Sequence, residues 1–109
     1  MTKVTIFRDH DGKYLAVNCF GHAEYADAGE DVVCAGISIL TFNTFNAIEA
    51  YTTDEIVVED DEENCILSIK FMKPAGHDSE LLLDTMVLGL QTIQELYGDE
   101  NLILDFKEV

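Results

Sequence analysis

Basic side chains are scarce. Six Lys and Arg stand against 22 Asp and Glu in 109 residues, a formal charge of -16 at pH 7 with His neutral. A field of that sign repels phosphate backbones, which counts against direct binding of nucleic acid, and it attracts a Lys/Arg-rich protein as substrate or ligand. The plainer alternative is that the acidity only solvates the surface. Cysteine is also sparse: Cys19, Cys34 and Cys65 cannot all pair within one chain. A domain of this length builds a core without staples, so all three read as thiols in a reducing compartment. The opening MTKVTIFRDHDGK alternates polar and apolar residues and soon meets charge, resembling neither a signal peptide nor a membrane span. A cytoplasmic protein with no membrane partner is the expectation. Phosphate-loop, EF-hand and zincin motifs are missing, as are internal repeats.

Nearly half the residues are apolar, and they fall in organised runs, so the acidity does not imply disorder. The length suits one domain over 1–109. KVTIFRD and KYLAVNCF flank His10-Asp11-Gly12, and Asp-Gly is a strong hairpin signal. From about Glu30 to Ala50, Val33, Ile37, Leu40, Thr44 and Ile48 recur at helical spacing. Val32, Ile39, Phe42 and Phe45 lie off that stripe, which suits a helix covered on two sides, the second surface being another subunit. Thr53–Glu59 and Cys65–Met72 read as strands around an acidic turn, Asp60 to Asn64, either solvated or a dock for a basic ligand. After the breakers Pro74 and Gly76, Asp78 or Ser79 caps a second helix to about Tyr97, striped by Leu82, Met86, Leu90, Ile93 and Tyr97. Gly98 stops it, and Leu102, Leu104 and Phe106 alternate as a last strand. The order β-β-α-β-β-α-β makes an α+β (α/β sandwich) fold, two main helices on a mixed sheet.

The chemistry concentrates in GHAEYADAGEDVVCAGIS, residues 21–38. Gly21 and Gly29 bracket a bent loop between the second strand and the first helix. Cys34, about one turn into the expected helix, lies near N–H groups without helical acceptors, which favour the anionic sulfur that attacks; Glu30 and Asp31 oppose it. If the loop folds back, His22 can take the thiol proton and later protonate a leaving amine, while those N–H groups hold an oxyanion. The alternatives stay open: a buried, inert Cys34 and an ordinary loop His22, or Cys19, His22 and Cys34 as metal ligands lacking a fourth. Ser38, one turn beyond Cys34, either faces the same pocket or bonds back to the helix carbonyls. Cys65 reads as core, and His10 and His77 as exposed turn residues.

The compound motif Gly21-His22-Ala23, Gly29-Glu30-Asp31, Val33-Cys34-Ala35 and Ser38 resembles the bacterial ribosomal-processing cysteine proteases, the Prp family, also known as YsxB-like, and the resemblance runs through nearly the whole chain. It implies His22 as base and Cys34 as nucleophile, with no cofactor and no metal. It implies removal of the N-terminal extension of a basic large-subunit ribosomal protein by a homodimeric cytoplasmic enzyme. Family members often carry Ala where Gly36 stands, a departure expected to open space beside the site. The rival reading is a non-catalytic acidic adaptor for a basic ribosomal or assembly protein.

Overall fold

The computed structural model describes residues 1–21 and 28–109, with the backbone alone for 28–31. The elements are β1 (Thr2–Arg8), β2 (Tyr14–Phe20), α1 (Ala28–Tyr51), β3 (Ile56–Asp61), β4 (Ile66–Phe71), α2 (His77–Tyr97) and β5 (Leu102–Glu108), in the expected order. The strands form one sheet ordered β3-β4-β2-β1-β5. Neighbours are antiparallel except β1 and β5, which run parallel, a pairing that their long connection through the rest of the chain permits.

Local chemistry explains the joints. Between β1 and β2, Asp9 Oδ1 accepts the Asp11 and Lys13 N–H groups, and Gly12 takes the positive φ of 78° that closes the turn. The cap of α2 differs from expectation. Asp78 and Ser79 lie inside the helix, whose N-cap is Gly76. Asp54, in the connection between α1 and β3, supplies the missing acceptor: its Oδ2 takes the Gly76 N–H at 2.9 Å and the Ser79 hydroxyl at 2.6 Å. A carboxylate there offsets the positive helix end and ties that connection to α2. At the other end Gly98, with φ 83°, donates its N–H to the Gln94 carbonyl.

The core lies between the helices and one face of the sheet. Val4, Cys19 and Leu67 form one row across β1, β2 and β4, and Ile6, Val17 and Ile69 the next. Alternation along each strand sends these side chains inward. Val33, Ile37, Phe45 and Ile48 of α1 and Leu83, Met86, Val87 and Leu90 of α2 close over them. Phe45 therefore belongs to the core and not to a second surface. On α2, Leu83 and Val87 join the expected Met86 and Leu90 in the core, Leu82 and Ile93 pack against it partly buried, and Tyr97 is exposed. Gly89 lets the helices approach closely, since a Cβ there would stand 3.0 Å from both methyls of Leu40. Residues Val32–Tyr51 have the length and mean hydropathy, 1.4, of a membrane span, yet their apolar stripe is spent on this core.

Phe45, 2% exposed, carries a large share of that burial. Phe45→Ala is expected to lower stability by about 3–5 kcal/mol through lost burial and a residual cavity. Urea unfolding checks this: the midpoint falls with an unchanged slope.

Candidate active site

A groove of about 310 Å³ opens between α1 and the β3–β4 hairpin, over the strand ends. Cys34, Ser38 and Phe42 line it from α1, and Cys19 and Leu67 from the sheet. Asp60, Asp61 and Glu62 form the wall opposite α1, with Cys65 beside them. Gly21 and Thr2 also line it. The acidic run is thus split: Asp60 and Asp61 end β3, and the turn begins at Glu62. The Asn64 side chain and backbone donate to the Asp61 carboxylate, at 2.8 and 3.1 Å, and hold its carboxyl below the usual carboxylate range. Asp61 therefore stays charged at neutral pH.

Cys34 is half-buried and faces the groove, so the thiol is neither sealed in the core nor fully in solvent. Its depth in the helix differs from expectation. The helix begins at Ala28, which makes Cys34 its seventh residue. At 1.5 Å per residue it lies about 9 Å from the first, and the N–H groups beside it are bonded within the helix. The unpaired donors belong to the first turn, where the dipole effect also resides, so oxyanion binding by the N–H groups around Cys34 is not available. Gly29 accordingly sits inside the first turn of α1, and the loop ends sooner than the glycine implied.

Ser38 shares the groove with Cys34, as one of its two readings held. The back-bonding hydroxyl is Thr41, which donates to the Ile37 and Ser38 carbonyls at 2.9 and 3.2 Å. Among the described residues the Ser38 hydroxyl has no hydrogen-bond partner. His22 lies outside the described residues, but the residue before it does not. Gly21 has φ 90° and donates its N–H to the Cys65 carbonyl at 2.9 Å. Cys65, expected in the core, instead ends the turn before β4 in the left-handed region, φ 56°, half-buried on the groove. Gly36 also differs: a Cβ there would meet Ile93 Cδ1 of α2 at 3.5 Å, so the space it opens is between the helices and not beside Cys34. Among the described residues no cluster of three or more His, Cys, Asp or Glu is arranged to hold a metal ion.

Burial acts on the Cys19 thiol, which is 7% exposed, and pushes it up to about 12. Tyr14 is also raised to about 12, by burial first and then by its hydrogen bond to Asp84. Both stay protonated in the folded chain where the unfolded groups, at 9.0 and 10.0, lose their protons. The unfolded state then binds fewer protons, so this contribution is complete below about pH 9 and is lost as pH rises toward about 12. Urea midpoints should fall across that window, and fall less in Cys19→Ala and in Tyr14→Phe.

A half-buried thiol carried on a helix into an open groove suits a cysteine peptidase. The family model described as Cysteine protease Prp matches residues 1–101, and the chain belongs to that family. It is 35% identical over 107 residues to the ribosomal processing cysteine protease Prp of Staphylococcus aureus, covering 98% of this chain and 100% of that protein. The crystal structure of the S. aureus protease with a substrate peptide is similar at a TM-score of 0.89 and 34% identity, over 98% of this chain and 100% of that one. The S. aureus complex with a covalently linked product peptide matches at 0.87, with the same identity and coverage.

Proposed function

We propose that this protein removes the N-terminal extension of a basic large-subunit ribosomal protein, with Cys34 as nucleophile and His22 as general base. The observation that carries the reading is the half-buried Cys34 thiol facing an open groove. The Cys34 sulfur attacks the scissile carbonyl carbon and forms a C–S bond, while His22 takes the thiol proton and passes it to the departing amine as the C–N bond breaks. Water, giving a proton to His22, then hydrolyses the thioester, which frees the acid product and restores the thiol. Ser38 offers its hydroxyl to the bound peptide from one turn beyond Cys34.

The S. aureus relative is bound to a substrate peptide in one structure and joined covalently to a product peptide in another, which supports a peptide ligand and a covalent step. The carboxylates of Asp60, Asp61 and Glu62, in a chain of charge -16, favour encounter with a basic partner. The protein works as a homodimer in the cytoplasm. Exposed Ile39 on α1 and Leu88 and Leu96 on α2 support a second copy over the outer helix face, and three free thiols support a reducing compartment.

Mass spectrometry after mixing with an extended ribosomal protein tests the reading. One defined cut near its N-terminus is the expected result. Binding without any cut, by folded and reduced protein, would favour the acidic adaptor instead.

A further inference from the structure

Gly21, the residue joined to His22, is restrained on three sides. Its N–H donates to the Cys65 carbonyl at 2.9 Å, and its carbonyl accepts the Thr2 hydroxyl at 3.2 Å. The Met1 carbonyl oxygen stands 2.8 Å from where a Cβ would be. The partners are themselves well held. Thr2 is 5% exposed, donates its N–H to Asn101 and pairs with Leu102 in the parallel β1–β5 ladder. The Cys65 N–H donates to Glu62 within the turn.

Glycine at positive φ is the most permissive point in a chain, so without these bonds the backbone leaving β2 would swing freely. The peptide that follows is planar, and holding the Gly21 carbonyl sets the plane in which the chain departs toward His22. Groups that must meet a reacting atom tolerate little misplacement. We propose that Thr2 is a positioning residue for His22, its hydroxyl orienting the Gly21–His22 peptide from the adjacent strand, at the same end of the antiparallel β1–β2 pair. The inference rests on His22 being the base.

Thr2→Val tests it. The change keeps the β-branch of a buried side chain and puts a methyl group where the hydroxyl stood, so melting temperature should fall by no more than the few degrees that one neutral hydrogen bond is worth. Turnover of the substrate peptide, kcat, should fall about two- to tenfold, the worth of one neutral hydrogen bond, with KM unchanged. Thr2→Ser should restore kcat. Thr2 also lines the groove, and a rise in KM at unchanged kcat would make it a substrate contact and overturn the positioning role. So would a kcat equal to that of the parent while His22→Ala is inactive. Parent-like cleavage by His22→Ala would instead remove the base on which the inference stands.

Discussion

Cys34→Ala is expected to abolish peptide cleavage while leaving the fold and peptide binding in place. The loss is on the order of a millionfold in kcat, the scale seen when a covalent nucleophile is removed from a hydrolase. The structure makes the variant a clean one. Cys34 is only half-buried and faces the groove, so alanine leaves no sealed cavity, and it suits a helix interior at least as well as cysteine. Steady-state cleavage and equilibrium binding of the same peptide, measured side by side, separate the two effects. Cys65→Ala is the control, because that thiol opens on the same groove from the hairpin side. It should retain most of the parent activity. Its backbone, in the left-handed region at φ 56°, accommodates alanine about as well as cysteine.

Gly21→Ala is expected to damage both stability and turnover. Two costs add at this position. A side chain at φ 90° is strained by about 1–2 kcal/mol, and its Cβ would stand 2.8 Å from the Met1 carbonyl oxygen. Relief requires moving either the end of β1 or the residue beside His22, and either movement breaks the bonds to Thr2 and Cys65. Gly12→Ala is the comparison. Gly12 has φ 78° but no atom within 4 Å of its Cβ position, so it carries the strain without the collision. Urea unfolding should rank Gly21→Ala below Gly12→Ala, and only the former should lose cleavage by more than about tenfold, the change that roughly 1.4 kcal/mol in the barrier produces.

The order of elements is legible because its signals are local. Asp11-Gly12 marks a turn, the stripe of Val33, Ile37, Thr44 and Ile48 turns one face of α1 inward, and Gly98 stops α2. Cys34 and Ser38 on one groove are legible too, since four residues make about one helical turn. What escapes a linear reading is whatever depends on residues far apart. The cap of α2 comes from Asp54, and the anchor of Gly21 comes from Thr2, 19 residues away. Cys65 reads as a strand residue because its neighbours are apolar, while its turn conformation is set by the hairpin it closes. The true start of α1 hides behind Gly29, a poor helix former that nonetheless occupies the first turn, and that shift takes Cys34 away from the helix-end donors.

The measurement that bears most directly on the central claim is the mass of the protein quenched in acid during turnover of the extended peptide, followed by mapping of the adduct. The account predicts one acyl group per active chain, on Cys34, with neither adduct nor cleavage in Cys34→Ala. An adduct on Cys65, or continued cleavage by Cys34→Ala, would contradict it.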